Sequence, residues 1–227
     1  MSLRYRGLIT LIFLISSNVS INAQDDDPLP LETILARTDS VMAINDSLHA
    51  NTKIRYELFS VMNRLDGDGG IKSSDTTIAI ITSIGKDELS REIIYSSTGK
   101  DAEKKKEGEE FSLSFDDPAY KFSLTDSDEW SYKISVIPKS SPPQEGEFIG
   151  TVGIDKRRYF LERFDFEVPD PEGALKEFAM VMDFEPLEGG LVVPVEMKMK
   201  GYVKAFLGII RIRFSGEFRF SNYEILE

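Results

Sequence analysis

A chain of 227 residues with a net charge of −12 and no cysteine excludes several classes of protein at once. An acidic surface disfavours binding to nucleic acid, or to anionic lipid through charge, because both need positive patches. Without cysteine the fold has no disulfide, no thiolate metal site and no acylated cysteine. Its stability therefore has to come from burial of a core.

The first 23 residues have the three-part pattern of a secretory signal peptide. Arg4 and Arg6 supply positive charge, Leu8–Ile15 is apolar, and Ser16–Ala23 is small and polar. The alternative is a membrane anchor, but a membrane span needs about twenty apolar residues, more than this run provides. We expect cleavage after Ala23 and export to the periplasm. Cleavage removes two arginines and no acid, which lowers the net charge from −12 to −14.

The mature chain is expected to begin with a flexible polar leader at Gln24–Pro30, followed by an amphipathic helix at Leu31–Leu48. Apolar side chains recur there every three or four residues, which is the helical period. The predicted stripe consists of Leu31, Ile34, Leu35, Thr38, Val41, Met42 and Leu48. This stripe must lie on an apolar surface.

From Asn51 onward the apolar period changes to two, the period of strands that bury one face. Turn signals separate the strands, the sharpest at Asp66–Gly70 and another at Gly189–Gly190. A charged segment is predicted at Gly99–Glu110, followed by a short strand at Phe111–Phe115. A hairpin strand is predicted at Tyr159–Val168, followed by a turn at Asp170–Gly173. Because no crossover helix appears, the pattern predicts an α+β fold with about nine to eleven antiparallel strands, in one domain over residues 31–227.

One side of the C-terminal strands is rich in phenylalanine and methionine. These residues form either a packed core or an open apolar groove, and alternation alone does not distinguish the two. Methionine adapts to irregular apolar shapes, which suits a groove for acyl chains. The candidate lining residues are Phe160, Phe164, Phe178, Met180, Met182, Met197, Met199, Phe214 and Phe218.

Several strand and turn motifs resemble the LolA/LolB family of lipoprotein-localisation factors and the related amino-terminal domain of the RseB/MucB sensors. The motifs are Tyr132–Pro138 (YKISVIP), Gly150–Asp155 (GTVGID), Tyr159–Arg163 (YFLER), Met182–Phe184 (MDF), Gly190–Pro194 (GLVVP) and Ser221–Tyr223 (SNY). In chain order they follow a signal peptide and a helix, as they do in that family.

The resemblance implies a strongly curved antiparallel sheet, an incomplete β-barrel, whose N-terminal helix covers an apolar cavity. Ile34, Leu35, Val41 and Met42 would then belong to a lid. The implied function is that of a soluble periplasmic carrier or chaperone, which binds acyl chains of lipid or lipoprotein and exchanges them with a membrane donor or acceptor protein. The alternative is a non-catalytic structural or regulatory interaction module with the same fold and a filled core. In both cases we expect a monomer.

No motif with an enzyme's spacing is present. Asp66–Gly70 begins like a calcium loop, but Thr77 stands where the bidentate glutamate is needed, so a hairpin turn is favoured. His49 is the only histidine, and no serine lies in a nucleophile elbow. A carboxylate hydrolase is a distant third hypothesis, because 39 acids offer too many pairs to select one. The sequence predicts no enzyme, no cofactor and no metal site.

Overall fold

The computed structural model describes residues 29–98, 114–144, 147–168, 175–205 and 209–226. Within these residues it contains one helix and ten strands. The elements are α1 (Leu31–Asn51), β1 (Lys53–Leu65), β2 (Ile71–Ile84), β3 (Asp87–Ser96), β4 (Tyr120–Ser127), β5 (Ser131–Pro138), β6 (Ile149–Asp155), β7 (Leu161–Val168), β8 (Leu175–Pro186), β9 (Val192–Ala205) and β10 (Ile210–Leu226).

All ten strands form one antiparallel sheet in the order β3-β2-β1-β10-β9-β8-β7-β6-β5-β4. The antiparallel sheet and the number of strands are as predicted. As formed by the described strands, the sheet is not closed, since β3 and β4 lie at its two edges. It consists of two meanders, β1–β3 and β4–β10, joined where β1 pairs with β10 over Lys53 to Leu65. This joint places β8, β9 and β10 in the middle of the sheet.

The predicted hairpin turns follow from short-range chemistry. Asp66 accepts hydrogen bonds at Oδ1 from the backbone N–H groups of Asp68 (3.0 Å) and Gly70 (2.8 Å). Gly69 has a φ of 86°, a conformation that costs glycine little. The Asp66 carboxylate is therefore part of the turn, which supports the hairpin interpretation over the calcium loop. Gly189 and Gly190, with φ of 88° and 86°, close the β8–β9 hairpin in the same way.

The face of α1 toward the sheet changes character along the helix. Ile34 and Thr38 are fully buried, and Leu31, Leu35 and Met42 pack against the core. One turn farther on, the polar Asn45 and His49 make hydrogen bonds to the sheet. The predicted stripe is therefore correct at its N-terminal end but not at Leu48, which is 36% exposed beside Ile44 at 61%.

Among the described residues, buried side chains form three separate clusters. The large cluster contains Ile34 of α1 and aromatic and aliphatic residues of β4–β7 and the neighbouring loops, including Phe115, Tyr120, Phe148, Phe164 and Phe166. A second consists of Ile54, Leu191 and Val193, and a third of Leu58, Ala79 and Ile81. We call the sheet face on which the large cluster and α1 lie the inner face.

Two local predictions need correction. Phe115 lies buried in a turn and not in a strand, where its N–H donates to Asp39 Oδ1 at 3.2 Å. Strand β7 begins at Leu161 and not at Tyr159, because Tyr159 has a φ of 57° that no strand adopts. Residues 111–113, the charged segment 99–110 and the turn 170–173 lie outside the described residues.

The predicted signal peptide and most of the leader also lie outside the described residues. Among the described residues, no helix combines the length and the apolar character that a membrane span requires.

Candidate functional site

Three rows of directly paired residues cross the inner face from β7 through β8, β9 and β10 to β1. The pairing places all members of a row on one side of the sheet, because side chains of paired residues point the same way. The rows are Phe164–Met182–Met197–Phe218–Ser60, Phe166–Met180–Met199–Gly216–Met62 and Val168–Phe178–Gly201–Phe214–Arg64. We call the part formed by Met62, Phe178, Met180, Met182, Met197, Met199, Phe214 and Phe218 the central patch.

The central patch is apolar but not buried. Among the described residues of β8, of β10 and of β9 beyond Val193, the only buried positions are Gly201 and Gly216. All eight side chains of the patch are half-buried. Five of them, Met62, Met182, Met197, Met199 and Phe214, lie outside the three buried clusters of the described chain. The middle of a sheet is ordinarily its most buried part, so this arrangement resembles a binding surface more than a core.

Two glycines make room for the large side chains of the patch. A β-carbon at Gly201 would lie 2.5 Å from Phe214 Cζ and 3.0 Å from the carbonyl oxygen of Glu177. A β-carbon at Gly216 would lie 2.7 Å from Met62 Sδ and 2.9 Å from Phe218 Cε2. The aromatic and thioether groups therefore lie directly over bare backbone, which glycine alone permits.

Polar groups border the patch toward β2. Ser60 pairs with Thr77, Met62 with Asp75, and Arg64 with Ser73. At the helix end of the sheet the border is the cluster of Ile54, Leu191 and Val193. There the Tyr223 hydroxyl donates to the carbonyl of Pro194 at 2.6 Å, and burial raises the pKa of this phenol well above its usual value. The patch is thus apolar in its interior and polar at the β2 margin.

The structure brings together eight of the nine predicted lining residues and leaves one apart. Phe164 lies in the first row but is packed, 4% exposed, against Phe148 and Phe166. Phe160 lies in the turn before β7, 5% exposed, with the Arg158 guanidinium 4.8 Å from its ring centre. Met62 was not predicted, although it continues the alternation of Ile54 and Leu58 along β1.

Of the predicted lid residues, three take part in the large cluster. Ile34 is fully buried in it, and Leu35 and Met42 pack against it. Val41 instead lines an open groove of about 650 Å³ beside α1, with Glu32, Thr33, Ala36, Arg37, Ser40 and Tyr159. Arg37 donates to the Tyr159 hydroxyl at 2.7 Å across this groove. The helix therefore packs on the β4–β7 part of the inner face.

The opposite face of the central strands is charged. Arg219 lies 2.6 Å from Glu217 and 3.7 Å from Glu196, and Arg163 lies 2.8 Å from Asp183. A hydrogen bond from Lys198 and the nearby guanidinium charges hold the pKa of Glu196 below its usual value. Because exposed ion pairs stabilise a fold by less than about 1 kcal/mol, these ion pairs mainly keep the outer face hydrated.

The loop before β5 carries an exposed aromatic side chain. Trp130 is 53% exposed, and the Arg157 guanidinium lies 4.6 Å from its ring centre. Burial, and after it the charges of Asp155 and Asp128, raise the pKa of the neighbouring Glu162. No group of three histidine, aspartate or glutamate side chains in the described ranges is arranged to hold a metal.

Comparisons with known proteins agree with the resemblance seen in the motifs. No family model and no curated protein matches the chain. Its structure is similar to a LolA superfamily protein from Nitrosomonas europaea, at 10% identity and a TM-score of 0.43, over 88% of this chain and 95% of that one.

Two further solved structures are similar to this chain. An outer membrane lipoprotein-sorting protein domain from Vibrio parahaemolyticus matches at 10% identity and a TM-score of 0.36, over 83% of this chain and 93% of that one. The MucA/MucB complex of Pseudomonas aeruginosa matches at 7% identity and a TM-score of 0.29, over 84% of this chain and 99% of the other. These three structures carry the names of families that the sequence motifs resemble.

Proposed function

We propose that the protein is an exported carrier that binds acyl chains of lipid or lipoprotein on the central patch. The observation that supports this most is the location of the patch: β8, β9 and β10 occupy the middle of the sheet and carry no buried side chain beyond Val193 among the described residues. An apolar surface of this kind in a monomer either promotes aggregation or is a binding site for an apolar partner.

The chemistry of the patch fits a flexible apolar ligand. All eight positions of the patch are methionine or phenylalanine, seven of them on β8–β10, and charged groups begin only at Arg64 and Asp75. Methionine repacks around guests of different shape, which suits acyl chains of varying length. Burying about ten methylene groups at about 0.8 kcal/mol each supplies about 8 kcal/mol before the costs of association. Micromolar binding requires about 8 kcal/mol after those costs, so a guest has to bury more than ten methylene groups.

We further propose that α1 acts as a cover whose C-terminal half is the moving part. The N-terminal half is held by burial of Ile34 and Thr38. The C-terminal half is held by polar contacts, from Asn45 and His49 to Val192 and from the carbonyl of His49 to the N–H of Gly85. Hydrogen bonds exchange with water at a small net cost, so this half is the easier one to release. Releasing it would widen the access to the patch from the helix end of the sheet.

The alternative is a regulatory interaction module. The filled large cluster favours this alternative, because Phe164 is packed rather than exposed to a cavity. The exposed side chains of Ile44 and Leu48, next to the groove at Val41 and Tyr159, would then contact a protein partner. The two functions differ in the surface that they use.

Lipid binding and patch variants separate the two functions. The protein, purified from an exported fraction without detergent, is analysed by native mass spectrometry, and a hydrophobic dye is then displaced with fatty acid or lipopeptide. A carrier shows bound lipid and displaceable dye, and Met182→Lys in the patch removes both. Ile44→Lys on the exposed face of α1 is the matched control and leaves them unchanged. If neither lipid nor dye binds in repeated mild preparations, the carrier function is wrong.

A further inference from the structure

Five of the seven methionines of the chain belong to the central patch. Met180 pairs directly with Met199, and Met182 with Met197, so four thioether side chains form a block of two by two on β8 and β9. Directly opposite residues on one face have β-carbons about 5 Å apart. Met62 approaches the same block from the other side, from β1 across β10.

Gly216 is where the side chains from the two sides meet. It pairs with Met199 on β9 and with Met62 on β1. The position that its β-carbon would occupy lies 2.7 Å from Met62 Sδ and 3.2 Å from Met199 Cε. The thioethers of Met62 and Met199 therefore converge over bare backbone from opposite directions. Met180, the partner of Met199, stands next in the same row.

An apolar surface by itself does not require sulfur, since leucine and isoleucine are equally apolar. What thioethers add is soft, neutral ligand chemistry, which selects Cu(I) over hard or borderline divalent cations. Neutral sulfur ligands also suit a monovalent cation at a site without carboxylates. The stronger soft ligand, the thiolate, does not occur in this chain, which has no cysteine.

We propose that Met62, Met180 and Met199 form a thioether site for a soft monovalent cation, Cu(I), with Ag(I) as its redox-inert analogue. The site shares the central patch with the proposed acyl ligand but does not depend on it. Met182 and Met197 lie one row away in the same block.

The experiment titrates the folded full-length mature chain with Ag(I) by calorimetry, and with Cu(I) under anaerobic conditions against a chromogenic Cu(I) chelator. Methionine methyl groups labelled with ¹³C report which thioethers coordinate. We expect one tightly bound cation and shifts confined to the methionines of the patch. Met62→Leu, Met180→Leu and Met199→Leu combined should abolish binding while circular dichroism stays unchanged. Met42→Leu, on α1 and outside the patch, should leave the affinity as it was.

The leucine variants also separate this inference from the proposed function. Leucine keeps the patch apolar, so dye and fatty acid should bind the triple variant as they bind the parent. Unaltered Cu(I) affinity in the triple variant, or no saturable binding in the parent, overturns the thioether site and leaves the carrier function standing. If the triple variant does not fold, the methyl shifts of the parent decide the question: shifts at Met42, or at no methionine, contradict the site.

Discussion

The side-chain amide of Asn45 and the backbone of Val192 exchange two hydrogen bonds. The Val192 N–H donates to Asn45 Oδ1 at 2.8 Å, and Asn45 Nδ2 donates to the Val192 carbonyl at 3.3 Å. The same carbonyl accepts from His49 Nε2 at 2.8 Å. A helix side chain thus satisfies the first residue of β9 as a neighbouring strand would, and it attaches the C-terminal half of α1 to the β8–β9 hairpin.

Asn45→Ala should loosen this half of the helix. The substitution leaves the N–H of the buried Val192 without its side-chain acceptor, which costs about 1–3 kcal/mol, while the Val192 carbonyl keeps the hydrogen bond from His49. Amide exchange at residues 45–51 should become faster, while exchange at Ile34 and Thr38, which are held by burial, stays slow. Asn51→Ala is the control, because Asn51 bonds only within the helix, to the Ser47 carbonyl. Equal exchange rates along α1 in the Asn45 variant would contradict a cover that opens at one end.

Two glycines of β6 should respond very differently to alanine. A β-carbon at Gly150 would overlap the Asp165 carbonyl oxygen and lie 2.9 Å from Phe166 Cβ. Backbone of a paired strand cannot move aside, so Gly150→Ala should destabilise the fold by about 1–3 kcal/mol or more. At Gly153 the nearest atom is Arg163 Cβ at 3.4 Å, an ordinary contact. Urea unfolding should therefore find Gly153→Ala close to the parent. The packing described for β6 and β7 is wrong if the two variants are equally stable.

Phe164 and Met182 are directly paired neighbours that should differ in their contribution to stability. Phe164 is packed in the large cluster, and truncating such a phenylalanine costs about 3–5 kcal/mol. Met182 is half-buried in the central patch, so Met182→Ala should cost less than about 2 kcal/mol, below the range for a core methionine. Chemical denaturation of both variants measures the difference. A full core-sized loss at Met182 would show that the patch is filled.

The turn before β5 should lose its order in acid. Asp128 Oδ1 accepts hydrogen bonds from the N–H groups of Ser131 and Trp130, both at 2.7 Å, and these bonds lower the pKa of the Asp128 carboxyl. A carboxyl whose pKa is lower in the folded state stabilises the fold at pH values above its unfolded-state pKa, about 3.9. This stabilisation is lost as the pH falls through the folded-state pKa. Trp130 is the only tryptophan, so its fluorescence should change below about pH 4. Asp128→Ala should remove that transition, and a parent without any transition would contradict the assignment.

The processed protein should begin at Gln24 and remain in solution without detergent. The expectation rests on the charge, apolar run and small residues of the first 23 positions. Amino-terminal sequencing of the protein from an exported fraction checks the cleavage site, and a carbonate wash of membranes checks whether the protein is released. Retention of Met1, or failure of the wash to release the protein, would remove export as a soluble carrier.

The strands and their two faces could be read from the sequence because they depend on local geometry. Successive side chains of a strand point to opposite faces, so the alternation at Phe178–Phe184 and at Met197–Met199 predicted one apolar side correctly. Turns such as Asp66–Gly70 could also be predicted from the sequence, because one carboxylate and one positive φ define them within five residues. The positive φ of Tyr159 could not be predicted, because nothing in its side chain indicates it.

Only the tertiary structure decided which apolar residues are buried. Phe164 and Met182 have the same alternation, yet one is packed beside the aromatic cluster and the other stays half-exposed. The difference arises because β1 pairs with β10, which places β8–β10 in the middle of the sheet, while α1 packs on β4–β7. Asn45 and His49 face the sheet because the C-terminal half of α1 lies against the first residue of β9, although helical periodicity favoured Leu48. Such contacts join residues far apart in the chain, and a pattern of period two or 3.6 carries no information on which distant segment will cover it.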